Sequence, residues 1–204
     1  IGRGAAQDAA GLRGTLPRPL IVDAGAGTGH HLARAVEVVA ESVGIAADVS
    51  VAAARRAARA HGRVASVVAD TWRSLPVVDG AADALLCLFA PRNAAEFARV
   101  LAPGGTLVVV TPTPMHLAGL RASYELLEVD PEKDERLLRS LGVAGSGASG
   151  GSGRPDGGSG GPRESAVFDL VDRVEVTAQQ SLDAGAVADV IAMGPNAFHG
   201  RARE

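Results

Sequence analysis

The stretch Leu20-Ile21-Val22-Asp23-Ala24-Gly25-Ala26-Gly27-Thr28-Gly29-His30 sets an apolar run against an aspartate and three glycines spaced two apart. It predicts a short buried strand, Leu20 to Val22, closed by Asp23 and running into a tight turn. Beyond the turn, Leu32, Val36, Val39 and Val43 recur at helical spacing, which predicts a helix from His30 to about Val43. The same unit then repeats. Ile45-Ala46-Ala47 ends on Asp48, and Ser50 stands where it can cap an Ala- and Arg-rich helix that runs to about Ala60. A third strand from Val64 to Ala69 is closed by Asp70, and a fourth runs from Ala84 to Phe89. Ala94 to Leu101 is helical, and Thr106 to Thr111 forms a fifth strand after the Pro103-Gly104-Gly105 turn. Five strands alternating with helices imply an α/β fold: a mostly parallel sheet with helices on both faces.

After Pro114 the pattern changes. Helices are expected from Met115 to about Leu127 and from Glu132 to Leu141, with a sixth strand from Val167 to Ala178. A last helix, Asp183 to Met193, is capped at Ser181 or Asp183 and precedes a terminal turn or loop. Ten of the 26 glycines fall between Gly142 and Gly161, so residues 142–166 read as a flexible Gly/Ser-rich insertion. The expected organisation is an N-terminal tail over 1–19, a ligand-binding core over 20–141, the insertion, and the C-terminal part of the same domain over 167–204.

Composition narrows the class of function. The 204 residues are 47% hydrophobic, enough for a substantial core. Twenty basic against 23 acidic residues give a net charge of −3, and only 3% of residues are aromatic. A chain that binds nucleic acid unaided normally carries a basic excess and stacking surface, so an RNA partner would need further help in docking. The single cysteine, Cys87, excludes an internal disulfide framework and cannot build a zinc site alone; no metal is expected. No run is long and apolar enough to span a membrane, and the reading is soluble and cytoplasmic.

The glycine spacing separates two cofactor classes. A dinucleotide fingerprint places its third glycine three positions after the second, but that position is His30. Gly25-x-Gly27-x-Gly29 is the form found in S-adenosylmethionine enzymes. Missing side chains let a ligand approach the backbone, and the following helix offers free N–H groups. Asp23, Gly25, Gly27, Thr28 and Gly29 are therefore candidate cofactor contacts. Asp48, at the end of the second strand, stands where a carboxylate accepts both ribose hydroxyls, and Asp70 where one accepts the adenine amino group. Trp72 either packs beside the adenine or serves the core or a lid.

Further segments carry a family resemblance. Leu101-Ala102-Pro103-Gly104-Gly105-Thr106-Leu107 is similar to the turn and fifth strand of class I methyltransferases, whose first motif Asp23 to Gly29 resembles. Gly27 to Arg34, Arg55 to His61, Phe89-Ala90-Pro91-Arg92-Asn93, Thr111-Pro112 with His116-Leu117, and Ala192 to Pro195 resemble the bacterial 23S rRNA guanine-N1 methyltransferases. That family includes the branch that confers macrolide resistance of the tylosin type. The resemblance implies a Rossmann-like methyltransferase fold, S-adenosylmethionine as cofactor, and 23S rRNA or a ribosomal particle as substrate. It also implies that His116 contacts the cofactor.

Methyl transfer is an in-line displacement in which positioning does most of the work. Guanine N1 carries a proton at neutral pH, so a base or polarising group is expected near the acceptor. In class I methyltransferases the loop after the fourth strand usually faces the acceptor, and here it supplies Phe89, Arg92 and Asn93. Phe89 either stacks on an extruded guanine or belongs to the core; Arg92 polarises O6 or holds a phosphate; Asn93 either bonds the base edge or caps the next helix. Asn196, Phe198 and His199 are lid candidates. The family's four-cysteine zinc module and its final strand have no counterpart here, so the chain reads as the catalytic core of a longer protein. A small-molecule methyltransferase and a non-catalytic, methyltransferase-like domain are the alternatives.

Overall fold

The computed structural model describes residues 18–124, 133–143 and 167–193. The tail over 1–19 (residues 18 and 19 excepted), the insertion beyond Val143, and Asn196, Phe198 and His199 lie outside the described residues. The chain divides into two compact units, Ile1–Thr111 with Leu137–Asp169, and Pro112–Arg136 with Leu170–Glu204.

The first unit is the α/β layer expected. Its strands are β1 (Leu20–Ala24), β2 (Val43–Asp48), β3 (Val64–Val68), β4 (Ala82–Leu88) and β5 (Leu101–Val110). They form one parallel sheet in the order β3-β2-β1-β4-β5. Helices α1 (His30–Val38), α2 (Val51–Ala57) and α3 (Ala94–Val100) connect them. Side chains alternate across β1. Ile21 faces a cluster with Leu32, Val36 and Ala57 from α1 and α2, whereas Val22 and Ala24 face one with Phe97 and Val100 from α3. Every residue of β1 is buried, as a central strand covered on both faces requires.

Several boundaries differ from the sequence expectation. Asp23 lies inside β1 rather than closing it, paired in register with Ala46 and Leu86. Helix α1 stops at Val38, where Val39 turns extended. Val38 and Val39 are exposed and Val43 opens β2, so the apolar spacing ran across a turn into the next strand. The Pro103-Gly104-Gly105 turn is an irregularity within β5: Ala82 pairs Leu101 and Ala84 pairs Thr106, leaving Ala102 to Gly105 looped out.

The second unit holds α4 (Ala118–Tyr124) and α6 (Ala184–Met193), and α5 (Lys133–Ser140) crosses the division. The Asp183 carboxylate accepts from the Ala186 N–H at 2.8 Å, which decides between the two expected caps. The sixth strand does not form. Only Phe168 pairs, in an isolated bridge with Val143, and Val171, Val174 and Val176 are exposed. Alternation supplies propensity, but a strand exists only where a neighbour completes its ladder. Among the described residues no helix is long and apolar enough to cross a membrane.

Candidate active site

The carboxyl ends of β1 to β4 gather the first unit's sequence-predicted residues along one edge, with the order reversal beside β1 where doubly wound sheets bind ligands. The loop after β1 is tied to β2 by its backbone. Gly25 and Ala26 donate to the Ala47 carbonyl at 2.8 and 3.1 Å, and Gly27 donates to Asp48 Oδ2 at 2.7 Å. Asp48 Oδ1 accepts from Ser50 N–H at 2.8 Å, and Ser50 in turn caps α2. Asp48 thus braces the loop and keeps further lone pairs for a ligand.

Gly25, Gly27 and Gly29 all have positive φ, 83°, 54° and 78°. Crowding forbids a side chain at two of them. A Cβ on Gly29 would lie 2.9 Å from Ala57 of α2, and one on Gly25 would lie 2.4 Å from the Ala90 Cβ. At Gly27 nothing lies within 4 Å, so that position opens onto free space. Below the loop, the Asp23 side chain is buried and its Oδ1 has no hydrogen-bond partner. Burial, reinforced by the charge of Asp48, pushes its carboxyl up to about 7.

The segment after β3 and the loop after β4 are joined. Asp70 Oδ1 accepts from Trp72 N–H at 3.0 Å, its Oδ2 lies 3.6 Å from Arg73 Nε, and Trp72 is exposed. Asn93 Oδ1 accepts from Glu96 N–H, capping α3, while its Nδ2 donates to the carbonyls of Thr71 and Trp72 at 3.4 and 3.2 Å. Phe89 is exposed rather than core, and its φ of 54° is a left-handed conformation that costs a bulky residue energy. Among the described residues the half-buried Arg92 side chain makes no hydrogen bond or ion pair. Thr28 is exposed at the loop tip, and His116 lies in the second unit.

Sequence reasoning missed two features. Ala90 seats the loop after β4 against Gly25. Glu96 and Arg99 on α3 clamp the segment after Trp72: the Glu96 carboxylate accepts from Leu75 N–H, and Arg99 donates to the Leu75 and Val77 carbonyls and pairs with Asp79 and Glu96. An acid and a base three apart on a short helix was the only signal.

Residues 21–105 match the family described as a methyltransferase domain. With its 3-2-1-4-5 parallel sheet and glycine loop after the central strand, the first unit has the Rossmann-like fold of class I methyltransferases. It is similar to a Micromonospora griseorubida protein named provisionally as a 23S rRNA (guanine-N(1)-)-methyltransferase, 55% identical over 122 residues, 60% of this chain and 41% of that protein. It is 42% identical over 179 residues to the 23S rRNA (guanine(748)-N(1))-methyltransferase of Streptomyces fradiae, 88% of this chain and 56% of that enzyme. The chain is thus similar to proteins named 23S rRNA guanine-N1 methyltransferases, and it spans about half the length of these curated relatives. A solved S-adenosylmethionine-dependent methyltransferase from Aquifex aeolicus is 18% identical with a TM-score of 0.46, over 65% of this chain and 77% of that one.

Proposed function

We propose that this chain is the catalytic part of an S-adenosylmethionine-dependent methyltransferase acting on N1 of a guanine in 23S rRNA, in the cytoplasm, on naked rRNA or a ribosomal particle. The observation that carries the cofactor assignment is the cradle at the end of β1: open space at Gly27 beside a buried Asp23 whose Oδ1 lacks a partner. A cationic ligand rich in N–H and O–H donors fits that chemistry. When bound, S-adenosylmethionine supplies an electrophilic methyl group on a sulfonium, so no metal or covalent nucleophile is needed.

This chain's own residues hold, orient and polarise. Gly25, Gly27, Thr28 and Gly29 present backbone to the ligand, Asp48 accepts from the ribose, and Asp70 and Trp72 border the adenine. Phe89 offers a ring face to the extruded guanine, and Arg92, whose side chain bonds to none of the described residues, polarises O6 so that the N1 proton leaves more readily. Asn93 positions the acceptor loop against the adenine wall through its two carbonyl bonds. His116 is assigned to the cofactor on the family resemblance.

The test is transfer of labelled methyl to unmodified 23S rRNA, free or in ribosomal particles, followed by reverse transcription. A stop mapping to a guanine is expected. Label on a small phenol or amine and none on RNA would overturn the substrate assignment.

A further inference from the structure

Between Asp48 and Asp70 the chain has no acidic residue, yet it carries Arg55, Arg56, Arg59 and Arg63. Arg63 is used internally, donating to the carbonyls of Ser42 and Val36. The side chains of Arg55, Arg56 and Arg59 are exposed and, among the described residues, make neither a hydrogen bond nor an ion pair. Among the other described arginines only Arg92, which is half-buried, has a side chain equally without a bond. The other described arginines have partners, in ion pairs such as Arg34–Glu37 and Arg73–Asp70, or in carbonyl bonds such as those of Arg121.

The place of this patch matters as much as its charge. Ala57 of α2 is the residue that a Cβ on Gly29 would strike, so the end of α2 lies against the last glycine of the cofactor loop. Arg56 and Ala58 flank that contact, and Arg59 lies in the turn that follows. Three exposed arginines therefore stand in the segment that packs on the glycine loop at Gly29, the same loop that Ala90 of the loop after β4 meets at Gly25. Guanidinium forks match phosphate oxygens in pairs and shed hydration easily.

We propose that Arg55, Arg56 and Arg59 dock the phosphate backbone of the RNA whose base enters the site, so that part of the electrostatic docking surface lies in the catalytic unit itself. The proposal rests on the RNA reading above. A bland role competes with it: Arg55 and Arg56 occupy the last turn of α2, where cations favour the helix dipole. That role affects stability and leaves RNA affinity alone.

The experiment compares the wild-type chain with R55Q/R56Q/R59Q and with R55K/R56K/R59K, using an unmodified 23S rRNA transcript. The readouts are RNA Kd at several salt concentrations, KM and kcat for methyl transfer, S-adenosylmethionine affinity and melting temperature. Each phosphate contact contributes roughly 0.7 to 0.9 to the slope of log K against log salt. The glutamine variant should bind RNA about tenfold more weakly at physiological salt, with a slope shallower by roughly 2. The loss should fall on KM, with cofactor affinity held and most RNA affinity restored by the lysines. A glutamine variant with lowered melting temperature but wild-type RNA affinity and slope would overturn the docking surface and leave the rRNA substrate standing. Wild-type protein that neither binds nor methylates the transcript or ribosomal particles would overturn both.

Discussion

Asp23 is the residue whose surroundings have the clearest thermodynamic consequence. Its carboxyl titrates near 7 in the folded chain against an ordinary value of 3.8. Between those values the folded state keeps a proton that the unfolded chain releases, so this group's contribution to stability falls as pH rises from about 4 to 7 and is level above. Asp23→Asn should therefore flatten that part of the stability profile and stabilise the ligand-free protein at pH 8 by roughly 2–4 kcal/mol; urea midpoints at pH 5.5 and 8 measure it. A cationic cofactor beside Asp23 favours the carboxylate, so S-adenosylmethionine should bind more tightly as pH rises through 7. Affinity independent of pH in calorimetry would place the cofactor elsewhere. At Phe89 the strained backbone separates two contributions. Phe89→Gly relieves a left-handed φ worth about 1 kcal/mol, so it should melt no lower than Phe89→Ala, while both lose tenfold or more in methyl transfer to RNA.

Among the elements, α3 joins the acceptor loop to the wall carrying Trp72. Its cap, Asn93, and its Glu96–Arg99 pair hold a segment that has no regular structure of its own between β3 and β4. Arg99 holds the Glu96 carboxyl below its usual range, first through their side-chain hydrogen bond. Arg99→Ala should cost about 2–3 kcal/mol, because it strips the buried Glu96 of its counter-charge and takes a donor from the Leu75 and Val77 carbonyls. A change in Trp72 fluorescence and weaker cofactor binding should accompany the drop in melting temperature. The strand-turn-helix units were legible because each is local: Asp48 and Asp70 could be placed from the apolar runs before them. What the residue pattern did not disclose depends on distant neighbours. Asp23 is buried and unpaired because β2 and β4 flank it, and Asn93 braces carbonyls more than twenty positions away. Val39 and Val43 fit a helical period although a turn divides them, and the alternation from Val167 meets, among the described residues, no strand that pairs with it beyond the Phe168 bridge.

At the scale of the whole molecule, protection should grade outward from the middle of the sheet. β1 pairs on both sides and is buried throughout, whereas β5 pairs only with β4 among the described residues and shows several exposed side chains. Hydrogen exchange should therefore be slowest in β1 and markedly faster in β5; equal protection would mean that another strand covers β5 in solution. The net charge of −3 describes a sum, and the arginines of α2 show how unevenly it is distributed. Cys87, the sole cysteine, adds an experimental opportunity. It is fully buried on β4, and burial pushes its thiol up to about 11, so thiol reagents should leave the folded protein untouched. The chain is thus born with a stopwatch: the rate at which Cys87 becomes labelled times how often the sheet parts beside Asp23, with no probe added.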